Sequence, residues 1–489
     1  MTVGTTLEVT KSLTINLNGH SITGSTGEYG VRAIHVKAGT LTLIGNGTIT
    51  TEGDNTEENG NFNRENSVIR VGNNQGAAGL VIGENVTITA PKSYGITIFD
   101  NNPNQAFNYT YTLDVSGTVE VTRDDEYAEA AISGNGNTAA KTEITIHDGA
   151  EVSSTCNVAI YHPQKYGTLT IKGGTITGVG GIQMCAGELN VEGGTITATG
   201  SYETVGTYDG EDDGPLLDGA AISMVNRDGY GTNNEAPKAE ITGGNFSAVD
   251  PDGVVQAYTW NMGGATGEGE WENPQENVEI SGGTYSNSVA QFVVADKKFE
   301  LNDNGEFSYY KTAEEALDAA KSSMPTVTQI NGGDTGESEQ VQYYKVTLVY
   351  NNGQGTSSSY AKPGTALTLP NPTHTGYNFM GWYNGTTYVG GAGSSYTVSG
   401  SVTLTARWSA INYGGGSFSS GDYLVSVDSS KNGKVTASPS RADKGDTVTI
   451  TVKPDDGYEL GTLTVTDKNG DSVKLTYKSA NKYTFTMPG

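Results

Sequence analysis

Apolar residues along the first three hundred positions alternate with polar ones in short bursts broken by glycine. Residues 39–50 read GTLTLIGNGTIT, residues 167–177 read GTLTIKGGTIT, and residues 187–197 read GELNVEGGTIT. Weaker copies lie at 79–89, 111–121, 143–152, 239–246 and 278–285. Period-two alternation predicts strands with one buried face, so each copy is two short strands around a glycine turn. A third short strand precedes each copy, as in AIHV (33–36), VIRV (68–71), AIYH (159–162), GIQM (181–184) and AISM (221–224). Three strands and their turns make a unit of roughly 20–30 residues, and about nine such units fit before residue 308.

A single flat unit cannot bury its apolar side chains. Stacked units bury one face of every strand in continuous columns. One column is predicted through Ile34, Ile69, Ile96, Ile132, Ile160, Ile182, Ile222 and Val255. Another runs through Ile49, Ile88, Val119, Val152, Ile176, Ile196, Phe246 and Tyr285. The predicted fold is all-β: a right-handed parallel β-helix of about nine rungs over residues 1–308, its hand following the crossover rule. Two small β-rich modules come after it.

The segment TAEEALDAAK (312–321) predicts a short helix with Thr312 as N-cap and Glu315 completing a capping box, within a cap at 309–323. Residues 324–342 are polar and Gly/Glu-rich and read as a linker. Residues 343–409 form one β-rich module. Residues 410–421 form a Gly/Ser linker, and residues 422–489 form a second module. Tyr377, Phe379, Trp382 and Trp408 are the expected core of the first, because so small a unit needs bulky anchors.

Lys and Arg number 28 against 55 Asp and Glu, for a net charge of −27. That excludes a basic nucleic-acid-binding stripe and disfavours anionic membranes and polyanionic substrates. No apolar run is long enough for a membrane helix, and residues 1–20 do not form a signal peptide. With two cysteines, Cys156 and Cys185, a disulfide scaffold is excluded. Register places those two at opposite ends of neighbouring strands, about 20 Å apart, beyond the ~7 Å a disulfide spans. Two free thiols are expected.

The outward column of the first strand is His35, Arg70, Thr97, Ser133, Tyr161, Gln183, Ser223 and Gln256, with no carboxylate. Glycoside cleavage needs a carboxylate pair about 5–10 Å apart. Acidic pairs lie elsewhere, at Asp124–Asp125 and Asp212–Asp213, both in loops after the third strand. His147 and His162 have no metal-ligand spacing around them and read as surface histidines.

Insertions follow the third strand (51–66, 123–128, 200–219) and the first (100–110, 162–166, 226–237, 258–276), so loops are where binding is expected. Tyr258, Trp260 and Trp271 stand beside glutamates, with Tyr166, Tyr230 and Phe107 on the same edge. Flat aromatic faces with carboxylates suit sugar stacking, and equally suit anchoring a long loop. The loop 207–218 carries Asp209, Glu211, Asp212, Asp213 and Asp218, a candidate calcium site without EF-hand spacing. Otherwise no cofactor is implied.

SLTINLNGHSIT (12–23) followed by AGTLTLIGNGTIT (38–50) resembles pectin-lyase-like β-helices of surface proteins from anaerobic gut bacteria, where the coil serves as a stalk or adhesin. Residues 343–409, with YKVTLVYNNG, PTHTGYNFMGWY and LTARW, resemble the internalin-type B repeat. Residues 422–489, with KGDTVTITVKPDDGYEL and YTFTMPG, resemble the divergent B-repeat module, whose members continue one strand further. The resemblance implies a secreted, cell-surface bacterial protein, truncated at both ends in this chain, with its signal peptide and anchor elsewhere. Its expected partner is a host or cell-wall glycan or a surface protein, and it is expected to be a monomer. Three functions stand: a non-catalytic stalk or adhesin, a glycan-binding module using the aromatic loop edge, and a polysaccharide lyase or glycoside hydrolase.

Overall fold

The computed structural model describes residues 2–24, 32–52, 66–73, 76–98, 109–123, 129–136, 138, 140–200, 215–227, 230, 236–250, 253–260, 269–270, 277–330, 340–411, 423–428, 430–479 and 481–488. Residues 2–294 wind as a parallel β-helix. Each coil contributes one strand to a first, a second and a third sheet, and nine coils run from Leu7–Val9 to Thr284–Tyr285.

The predicted columns are in register. Ile34 pairs with Ile69, Ile69 with Ile96, Ile132 with Ile160, Ile160 with Ile182, and Ile182 with Ile222. In the third sheet Ile49, Ile88, Val119, Val152, Ile176 and Ile196 stack in turn. A leucine column in the second sheet (Leu41, Leu80, Leu113, Leu169, Leu189) faces both and closes the core. These side chains are fully buried, and each inward aliphatic contributes about 1.5–3 kcal/mol.

Where the column passes to Phe246 and Tyr285, the rings stack with centroids 4.8 Å apart, close to the strand spacing. The turn before them needs glycine. Gly283 has φ +96, and a Cβ there would meet the Tyr285 hydroxyl at 2.9 Å and the Phe246 ring at 3.0 Å.

The coil ends in a reversal of strand direction. The hairpin Phe299–Asp303 and Glu306–Tyr310 joins the third sheet antiparallel, through Tyr285 opposite Phe307. Buried Glu300 accepts hydrogen bonds from Tyr309 Oη (3.0 Å) and from Ser288 Oγ. The backbone N–H of Val289 donates to Tyr309 Oη at 2.7 Å. The helix forms at Ala313–Ala319 with Thr312 Oγ1 accepting from the Glu315 N–H at 3.2 Å. The Glu315 carboxylate returns to the Lys311 N–H, one residue before the position a capping box uses. Ala316 and Leu317 pack on Leu301 and Val327.

The expected linker at 324–342 is corrected by two strands, Thr326–Gln329 and Gln340–Gln342, which extend this antiparallel edge. Residues 331–339 lie outside the described residues. Hydrogen bonds join the cap to the next module. Lys345 N–H donates to Ser323 O, Tyr360 Oη donates to Ala320 O at 3.2 Å, and Ser401 Oγ donates to Ser323 O. Met1–Pro370 with Trp382–Ala406 form one compact unit.

In the first module Tyr344–Val349 lies between Thr356–Ala361 and Val402–Ala410. Trp382 is completely buried, donates its indole N–H to Pro370 O at 2.9 Å, and meets Tyr350 edge-on. The four-aromatic core is corrected in one member: Tyr377 is 43% exposed and stacks on His374. The second compact unit is Asn371–Gly381 with Arg407–Gly489. Its C-terminal module is a four-stranded antiparallel sheet whose buried core includes Val448, Ile450, Val452 and Phe485.

Trp382→Ala is expected to destabilise the first module by about 3–5 kcal/mol. Native-state hydrogen exchange should show that loss in Tyr344–Val349 and Val402–Ala410, with amides of the coil unchanged.

Candidate functional site

Turns between second and third strands are uniformly short: Ile44 to Gly47, Val115 to Thr118, Ile171 to Thr175. Every long insertion therefore flanks the first sheet, from its two sides. That sheet's outward column has the predicted register, Tyr161 with Gln183, then Ser223, then Gln256. It is nonetheless closed to solvent over most of its length. Arg70, Thr97, Ser133, Tyr161, Gln183 and Ser223 are all buried.

Described side chains show how the closure is made. Gln183 holds the backbone of Leu216 at both polar groups. Its Nε2 donates to Leu216 O at 2.8 Å, and its Oε1 accepts from the Leu216 N–H at 2.8 Å. Asp218 is buried beside it. One carboxylate oxygen accepts from the Ala220 N–H at 3.0 Å and the other from Tyr258 Oη at 2.8 Å. Burial pushes the Asp218 carboxyl up, against the opposing pull of these hydrogen bonds.

Behind this strap lies a polar cluster. Arg227 Nη1 donates to Tyr161 Oη at 3.2 Å, and its guanidinium sits 5.1 Å from the Tyr230 ring centroid. Burial pushes the Cys185 thiol up to about 11 and raises the Tyr161 phenol, with Arg227 opposing both. At neutral pH the cluster holds a thiol and phenols rather than a thiolate or phenolate. It supplies hydrogen bonds and packing.

His162 corrects its surface assignment. It is completely buried, with Nδ1 donating to Ala186 O at 3.2 Å, and burial lowers it to about 4. A Cβ on Gly167 would sit 2.4 Å from its ring, so glycine is what admits the imidazole. A Cβ on Gly187 would also come within 3.1 Å of the ring. His147 is half-buried and pairs with Asp114 at 3.0 Å.

The candidate binding residues separate. Tyr166 is 45% exposed. Tyr230 is buried against Arg227, and half-buried Tyr258 turns its hydroxyl inward to Asp218. Trp260 ends the strand Val255–Trp260, but its side chain, with Trp271, Phe107, Asp209, Glu211, Asp212 and Asp213, lies outside the described residues. Among the described residues no group of three or more His, Cys, Asp or Glu converges, and Cys156 and Cys185 are free. The C-terminal module contains a separate cavity of 570 Å³ lined by Val435, Ile450, Leu463, Val465 and Phe485.

Residues 344–412 and 423–489 match the family model described as the divergent InlB B-repeat domain. One model takes both modules, so it does not draw the internalin-type versus divergent distinction between them. No curated protein and no solved structure gives a match. The fold is thus a parallel β-helix followed by two B-repeat modules, and such repeats point to a bacterial surface protein.

The His162 environment makes stability pH-dependent. The folded ring titrates near 4 against a usual 6.5, so its contribution is present above pH 6.5 and is lost as pH falls toward 4. The loss is about 3 kcal/mol over that interval. Denaturant midpoints between pH 7 and 4 should show this slope flattened in His162→Gln. Gln183→Ala should cost about 1–3 kcal/mol by unpairing two backbone groups, read as faster exchange of the Leu216 amide.

Proposed function

We propose that the chain is a non-catalytic surface stalk, an adhesin-type scaffold that holds a rigid coil away from a bacterial cell. The observation that carries this reading is the unbroken packing from the coil through its antiparallel cap into the first B-repeat module. Nine rungs at the strand spacing give about 40 Å of solid β-helix. The outward ladder of its third sheet is mostly hydroxyl residues, with Thr48, Thr87, Thr118, Thr175 and Thr195 in line and Glu151 between Thr118 and Thr175. The closed outward face of the first sheet supports the same reading, because a polysaccharide-active enzyme would need that face, or a cleft beside it, to be open.

A glycan-binding role is the second reading, favoured by exposed Tyr166 and by Trp260 at the end of its strand. The stalk reading expects no reproducible signal on a glycan array probed with residues 1–330, in calcium or in chelator. It expects no release of reducing ends or unsaturated uronates from polysaccharides. A signal weakened by Trp260→Ala would replace it with a lectin-like adhesin, and calcium dependence would assign the 209–218 loop a metal.

A further inference from the structure

We infer that the first B-repeat module is a load-bearing clamp, set to carry tension between the coil and the downstream chain. This rests on the stalk reading and specifies the load the stalk must withstand. The chain enters the module at Tyr344 and leaves it at Ala410. The two strands at those ends, Tyr344–Val349 and Val402–Ala410, lie side by side and parallel. Val346 is opposite Val402, Thr347 opposite Thr403, Leu348 opposite Leu404, and Val349 opposite Thr405.

Parallelism decides how force is felt. In a parallel pair the entry point of one strand and the exit point of the other lie at opposite ends of the ladder. Tension on the chain therefore pulls the strands along each other, in shear. Parallel ladder bonds are evenly spaced, so the whole set is strained together and must break together. In an antiparallel pair entered and left at the same end, bonds open one after another.

Three features back the clamp. The entry strand is interior, since its other edge pairs with Thr356–Ala361 along its full length, from Tyr344 opposite Ala361 to Val349 opposite Thr356. Beneath the ladder Val346, Ala361, Val398, Leu404 and Ala406 are buried, so water cannot readily replace a strained bond. At the entry end the module is fastened to the cap through Lys345, Tyr360 and Ser401. The C-terminal module differs: among its described residues every strand pair is antiparallel.

Single-molecule force spectroscopy on the full chain tests this by changing only the direction of pull. In a Cys156→Ala background, one handle is placed at the exposed cap position with Lys321→Cys. The other is placed either at the C-terminus or, with Ser399→Cys, beside the start of Val402–Ala410. The first arrangement loads the parallel pair in shear, and the second peels it from one end. Peeling is expected to rupture the module at a force at least twofold lower than shear. In the shear arrangement the C-terminal module should unfold before an extension of about 230 Å from residues 344–410, at roughly 3.5 Å per residue. Equal rupture forces in the two arrangements, or release of the first module before the C-terminal one, would overturn the clamp and leave the stalk reading intact. A glycan-array hit would do the reverse.

Discussion

Register in the parallel ladders is the constraint on which the rest of the coil depends. A strand's side chains alternate faces with a period of two, so a slip of one residue would move a whole rung's aliphatics from core to surface. Ile160, for example, must lie over Ile132 and under Ile182, and all three are fully buried. Each rung is thereby fixed by its neighbours, and a column of like residues shares the same shape from rung to rung. Repetition lets Phe246 and Tyr285 continue an isoleucine column, since their rings stack at nearly the strand spacing.

That constraint also decides where variation is tolerated. The second-to-third turns are short, and glycine lets the chain reverse close against the rung below, as at Gly194 with φ +91. Insertions are admitted only where the chain enters or leaves the first sheet. The same sheet then needs polar groups able to bind loop backbone, which is the work of Gln183 and Asp218. The burial of Tyr161, Cys185 and Arg227 follows from loop cover, and their raised or matched protonation states follow from burial.

Much of this was legible in the sequence because alternation and repetition are local signals. Ile34 through Val255 align on spacing alone, and the Thr312 cap is visible in the same way. The misread parts depend on non-local partners. Thr326–Gln329 looks like a polar linker because a strand pairing at the end of a sheet needs little apolar surface of its own, yet Val327 is buried against Leu301 and Leu317. His162 looks like a surface residue because nothing beside it in sequence shows that two glycines from adjacent turns leave room for its ring. Tyr377 looks like core because it shares a motif with Trp382, but only Trp382 faces the buried side.

The cap explains why two unlike architectures can share one compact unit. A parallel coil ends in an open ladder, and an open ladder is a template for unwanted pairing. Reversing direction with the hairpin at 299–310 ends the parallel ladder of the third sheet, and buried Glu300 fixes that hairpin through Ser288 and Tyr309. The antiparallel edge so created runs through Thr326–Gln329 to Gln340–Gln342, two residues before the first strand of the next module. The element that closes the coil is therefore also the one that orients the first B-repeat module. The residues that fasten this junction, Ala320 and Ser323, belong to the cap itself.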